Sequence, residues 1–223
     1  MKIEVNGIEL FYEKEGKGPP LILLHGNGES GGIFCEAARK LAESWTVYRP
    51  DSRGHGRSSR VPELHYRDMA DDMAAFIREL KLERPVFYGF SDGGIVGLLI
   101  AAGDPQLLSG LIISGANLQP RGLKPFVYWF FKILNLFFFK PAYELMLTEP
   151  NIRKSDLKKI RIPVYVTAGH RDLIRESHTR FLAEHIPESK LEILEGESHG
   201  SYVVHSLKLV KIIEAGTAFI NSK

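Results

Sequence analysis

One stretch constrains this chain more than any other: Pro85-Val86-Phe87-Tyr88-Gly89-Phe90-Ser91-Asp92-Gly93-Gly94. A short apolar, β-prone run ends in Gly-x-Ser-x-Gly and passes directly into Ile95-Val96-Gly97-Leu98-Leu99-Ile100-Ala101-Ala102, which reads as a buried helix. A serine at the apex of a strand–turn–helix elbow is pushed out of the backbone, because the flanking glycines remove side chains that would crowd it. That geometry exposes the Ser91 hydroxyl and aims the first N–H groups of the helix near it. The five-residue pattern also arises by chance. Its meaning rests on whether the rest of the chain supplies a base, an orienting acid and an oxyanion site.

The chain around the elbow alternates strands and helices. Ile3–Val5 and Ile8–Tyr12 flank Asn6-Gly7 and predict a hairpin. Leu21–Leu24 is a continuous apolar run, the mark of a strand buried on both faces. It ends in the glycine-rich loop His25-Gly26-Asn27-Gly28-Glu29-Ser30. The spacing then predicts a helix from about Ile33 to Trp45, a strand at Trp45–Tyr48, and a helix over Tyr66–Leu80 with Met69, Met73, Phe76 and Ile77 on one stripe. Leu111–Ser114, Ile162–Gly169 and Leu191–Leu194 complete the strands, with helices near Glu176–His185 and Leu207–Ile220. This alternation predicts an α/β fold whose mostly parallel sheet of about eight strands is covered by helices on both faces. Ligands then sit at the carboxyl ends of the strands, where all the loops singled out below fall.

The totals fit one domain of 223 residues, 44% hydrophobic and 25% charged. A net charge of +2 gives no reason to expect nucleic acid as a partner. The lone Cys35 excludes an internal disulfide and fits a reducing compartment. The opening residues carry no signal-peptide core, and no run reaches the roughly 18 apolar residues a membrane span needs. The expected location is therefore the cytoplasm.

A serine hydroxyl needs a base, and His199, in Gly196-Glu197-Ser198-His199-Gly200 after the last strand, can lean over the sheet edge towards Ser91. Its alternative is an ordinary surface-loop histidine. His178 and His185 fall in a predicted helix and His65 and His205 flank helices, so all four are expected to face solvent. The base in turn needs a carboxylate. Asp172, in Gly169-His170-Arg171-Asp172, follows the penultimate strand; it could alternatively cap the next helix. His170 is expected to be part of the turn. The order Ser91, Asp172, His199 is the one expected of a strand-end catalytic triad. A tetrahedral intermediate needs two donors, for which the backbone N–H groups of Asn27 and Asp92 are the candidates. His25 then pins the loop.

His-Gly-x-Gly, Asp-x-Arg-Gly-x-Gly-x-Ser at Asp51–Ser58, Gly-x-Ser-x-Gly-Gly and the late Asp and His loops resemble the α/β-hydrolase fold superfamily over nearly the whole chain. The resemblance implies that Asp51–Ser58 is a tight structural turn, with no catalytic role for Arg53 or His55. It also implies a short cap inserted at residues 118–160. Resembling dehalogenases and epoxide hydrolases place aspartate at the nucleophile position, so serine favours acyl transfer to water. Ser-Asp-Gly-Gly is similar to the elbow of biphenyl-hydrolase-like enzymes that cleave amino-acid esters, where the aspartate serves the substrate amine. A plainer role for the Asp92 side chain is to complement the positive end of the following helix. Either way it must point away from the oxyanion, because a facing carboxylate would raise the barrier.

Within the insert, Phe126–Phe139 is apolar except for a narrow stripe of Tyr128, Lys132 and Asn135. Such a helix must be covered on most sides. Three readings stand open: a roof over an acyl pocket, with Phe126, Trp129 and Phe130 joining Asp92 as substrate contacts; a homo-oligomer interface; or contact with a membrane surface, given Arg121, Lys124, Lys132 and Lys140. The whole sequence then reads as a serine hydrolase needing no cofactor or metal, cleaving a small to medium hydrophobic carboxylic ester through an acyl-enzyme. A thioester or carbon–carbon hydrolase on the same residues, and a ligand-binding protein without turnover, are its alternatives.

Overall fold

Asn6 and Gly7 both adopt left-handed backbone angles (φ 48° and 76°), which turn β1 (Lys2–Val5) back onto β2 (Ile8–Glu15) as an antiparallel hairpin. The computed structural model describes residues Met1–Lys223. After the hairpin the chain alternates β3 (Pro20–Leu24), α1 (Cys35–Leu41), β4 (Thr46–Pro50), α2 (Tyr66–Glu79), β5 (Val86–Phe90), α3 (Asp92–Gly103) and β6 (Gly110–Ser114). Three helices follow without a strand between them: α4 (Pro125–Phe138), α5 (Pro141–Thr148) and α6 (Lys154–Leu157). β7 (Val164–Arg171), α7 (Glu176–Glu184), β8 (Ser189–Ser198) and α8 (Lys208–Asn221) complete the fold.

The eight strands form one sheet in the order β1-β2-β4-β3-β5-β6-β7-β8. β2 runs antiparallel to β1 and β4; every pairing from β4 to β8 is parallel. Both faces are buried, and alternate residues of one strand serve different cores. Leu21 and Leu23 of β3 pack with Phe34 just before α1 and with α1 and α8 residues such as Leu41 and Ile213, while Ile22 and Leu24 pack with α2 and α3 residues such as Met73, Phe76 and Leu98. Two covered faces are why the central strands read as unbroken apolar runs.

Several boundaries differ from the sequence expectation. The helix expected to reach Trp45 stops at Leu41. Ser44 and Trp45 both donate to the Leu41 carbonyl in a turn, so that Thr46 can bond Pro19 and enter the sheet. β7 and β8 run further than expected, to Arg171 and Ser198, because they stay paired to each other past the neighbouring strands' ends. His170 consequently belongs to β7 rather than to the turn after it.

Candidate active site

The elbow is built by backbone contact. A Cβ on Gly89 would strike the main chain of Gly93, and one on Gly93 would strike the main chain of Leu24 and His25. Both glycines are therefore required by the close passage of α3 over β5 and β3, and only secondarily by access to the serine. Ser91 between them is held at φ 52°, ψ −112°, and its N–H donates to the Ser114 carbonyl at 2.8 Å. A non-glycine residue in that backbone region is strained and persists only where its surroundings impose it.

Three strand ends converge on its hydroxyl. His199, just beyond β8, places Nε2 3.1 Å from Ser91 Oγ and Nδ1 2.7 Å from Asp172 Oδ1. Phe90 packs beside the imidazole, with ring centroids 4.9 Å apart. Asp172 is buried, and its Oδ1 also accepts the Ile174 N–H at 2.9 Å. It does not cap α7, whose N-cap is Arg175. Burial pushes the Asp172 carboxyl up, but the bond and charge of His199 together with backbone bonds outweigh it, leaving the group below the usual range. Gly115, at φ 64° after β6, lies against this pair: a Cβ there would sit 2.8 Å from His199 Nδ1 and 3.2 Å from Asp172 Oδ2.

The loop after β3 closes the other side. His25 is fully buried; its Nδ1 sits 2.8 Å from the Gly26 carbonyl and its Nε2 accepts the Ser52 N–H at 3.0 Å. Burial lowers its pKa from 6.5 to about 4, so it is a neutral strut. The Gly26 N–H is taken by Glu29 Oε2 at 2.9 Å, whereas the N–H groups of Asn27 and Asp92 meet no protein acceptor. The Asp51–Ser58 stretch is a self-bonded turn. Asp51 accepts the N–H groups of Gly31 and Arg57, Ser58 Oγ donates to the Asp51 carbonyl, and Arg53 forks onto Asp72.

Asp92 is buried, and both carboxylate oxygens are occupied. Oδ1 accepts the Tyr66 hydroxyl at 2.8 Å and Oδ2 accepts Asn27 Nδ2 at 3.0 Å. Burial raises its pKa against these two bonds. The Asn27 amide also donates to the Ala142 carbonyl of α5, so Asp92 ties the elbow, α2, the Asn27 loop and α5 together. A cavity of about 30 Å³, room for little more than one water, lies over Ser91 and His199 and is walled by Asp92, Tyr66, Glu149, Asn117, Leu123 and Met146. Beyond Leu123 opens a groove of about 580 Å³ that includes Tyr128, Trp129, Arg121 and Arg175.

The structure thus brings together Ser91, His199, Asp172, Asn27 and Asp92. Of the other expected contacts it brings none to the cavity. Trp129, 57% exposed, borders the groove beyond Leu123, while Phe126 and Phe130 are 67% and 57% exposed away from it, because α4 packs inward through Val127, Tyr128 and Phe131 instead. His178 does not face solvent as expected: it is half-buried, and its Nε2 accepts the Leu118 N–H at 2.9 Å. Sequence reasoning missed Tyr66, Glu149 and Gly115. Gly115 alone carried a signal, a glycine directly after a buried strand.

Comparison with known proteins agrees with this architecture. A family model described as the alpha/beta hydrolase fold matches residues 19–146, more than half of the chain. The human protein named Serine hydrolase BPHL is 26% identical over 250 aligned positions, spanning 96% of this chain and 84% of that one. The pimeloyl-[acyl-carrier protein] methyl ester esterase of Vibrio parahaemolyticus is 34% identical over 116 residues, covering 52% of this chain and 44% of its own. Among solved structures, Est816, described as an N-acyl homoserine lactone degrading enzyme, superposes with a TM-score of 0.81 at 22% identity, over 96% of this chain and 99% of that one.

Proposed function

The chain belongs to the α/β-hydrolase fold family, and from that premise we propose that it is a carboxylic-ester hydrolase using Ser91, His199 and Asp172. The observation that carries the reading is the unbroken relay Ser91 Oγ–His199–Asp172, with bonds of 3.1 and 2.7 Å. Ser91 Oγ attacks the ester carbonyl as His199 Nε2 takes its proton. Asp172 Oδ1 holds the opposite N–H and stabilises the imidazolium. The oxyanion accepts the free N–H groups of Asn27 and Asp92. Collapse expels the alcohol, which carries away the proton from His199. Water, deprotonated by His199, then cleaves the acyl-enzyme and restores the serine.

The segment 118–160 acts as the cap. With only about 30 Å³ over the serine, an ester enters when that segment shifts away from Asn27, which bonds Ala142, and from Tyr66, whose N–H bonds Glu149. The apolar Leu123 and Met146 favour a hydrophobic acyl group. A second reading rests on Asp92 and Glu149 sharing the cavity wall: two carboxylates there favour a substrate with a cationic or strongly donating end. Asp92→Asn kinetics on paired charged and neutral esters tests this; equal losses on both exclude amine recognition.

The central test is turnover of a panel of esters, thioesters, lactones and diketones of varied length, with fluorophosphonate labelling mapped by mass spectrometry. Ester turnover with the label on Ser91 is expected. Cleavage of diketones or thioesters in preference to esters moves the assignment to those bonds, and an unlabelled Ser91 removes the nucleophile.

A further inference from the structure

We propose that the outer face of α4 seats this protein on an anionic lipid surface. Phe126, Trp129, Phe130, Ile133, Leu136 and Phe137 recur at helical spacing along one arc, and each is between 53% and 74% exposed. The inner face already has its partner: Val127 is buried, the Phe131 ring lies 5.6 Å from Tyr143, and Asn135 Nδ2 donates to Glu144 at 2.6 Å. The outer arc is thus a second apolar face that packing within the chain leaves uncovered, larger than the scattered exposure a monomeric surface normally carries.

Charge decides what covers it. Between Arg121 and Tyr143 there is no acid, and the four cations Arg121, Lys124, Lys132 and Lys140 form no ion pair. The Lys132 ammonium lies over the Trp129 ring, 4.8 Å from its centroid, so a cation accompanies the apolar arc. A twofold contact through this arc would bring two copies of the same basic set together, with only Glu63 and Glu144, both beside Lys140, to offset them. An anionic bilayer supplies the missing charge, and its interfacial zone suits a helix carrying tryptophan, phenylalanine and flanking lysines. The helix has 14 residues, about 21 Å, so it lies in the surface rather than across it, and no helix is long and apolar enough to cross a membrane.

The test is co-sedimentation of the full chain with vesicles of phosphatidylcholine alone and of phosphatidylcholine containing phosphatidylglycerol, at low and high salt. Binding to the anionic vesicles is expected, weakened by salt and by roughly fivefold for each lysine neutralised in Lys132→Gln and Lys140→Gln. Ile133→Ser combined with Leu136→Ser and Phe137→Ser should lower it at least about tenfold. In a Trp45→Phe background Trp129 is the sole tryptophan, and its emission should shift to the blue on binding. The wild-type arms decide the matter even if a variant folds poorly. No sedimentation with either vesicle, equal sedimentation with both, or a stable dimer in which Trp129 is shielded without lipid would each overturn the proposal.

Discussion

Ser91 is reached from two sides that are made differently. On the sheet side, each group is fixed by buried backbone: His25 bonds two loops, Gly89 and Gly93 seat α3 on β5, and Gly115 lies flush against His199. On the α4–α5 side, contact of α4 with the rest of the molecule is narrow. α5 is anchored by buried Leu145, by the Asn27–Ala142 bond and by Glu149 on Tyr66 and His65, whereas α4 is joined only near its start, through Leu123, Lys124 and Val127, and most of its large side chains remain in solvent. The contrast separates precision from access. The proposed proton-transfer groups sit on strand ends, and the helix of the proposed cap is held by few bonds.

The contrast breaks first if the sheet side tolerates change. Ser91→Ala should lower ester turnover by roughly 10⁵-fold or more with the thermal midpoint nearly unmoved; retention of more than a percent of activity contradicts the nucleophile. Asp172→Asn should cost about 10⁴-fold in kcat, because the amide no longer holds His199 in the tautomer that can accept the serine proton. A loss confined to KM would show that Asp172 does something else.

His25 sharpens the comparison through pH. Its pKa is depressed from 6.5 to about 4, so between those values the unfolded chain binds a proton that the folded chain refuses. Stability from this group is complete above about pH 6.5 and falls as pH drops, by roughly 3 kcal/mol in total by pH 4. Denaturant unfolding across that range measures it, and an NMR titration of the imidazole with a midpoint near 6.5 would rule it out. Gly115→Ala should cost about 100-fold in kcat by displacing His199, with a smaller loss of stability. Wild-type turnover in that variant would mean that the imidazole has slack. On the opposite side, Leu136→Ser should change stability by less than about 0.5 kcal/mol. A loss of 2 kcal/mol would place that residue in a core.

Much of the sheet side was legible in the sequence because its requirements are local. Asn-Gly specifies a tight hairpin, an apolar run specifies a strand covered twice, and Gly-x-Ser-x-Gly specifies an elbow, each through backbone geometry that a few neighbouring residues settle. The α4 segment was legible only as apolar. Composition identified α4 as a helix needing cover, but which arc turned inward depended on contact with Ile174 and Leu173, distant in the chain, and on how the flanking Leu123 and Tyr143 fold back on it. That is why Phe126, Trp129 and Phe130 were expected over the acyl pocket, whereas none lines the cavity above Ser91 and only Trp129 borders the adjoining groove.

The same division runs through the elbow. From the residues alone, Ser91 is a candidate nucleophile, and the order of Asp172 and His199 behind it makes a relay available. Tertiary structure alone decided what surrounds the carboxylate next door. Asp92 meets Tyr66 from 26 residues upstream and Asn27 from 65, and Glu149, just after α5, shares its cavity. No local rule connects those positions, because side chains distant in sequence meet only when the sheet is assembled.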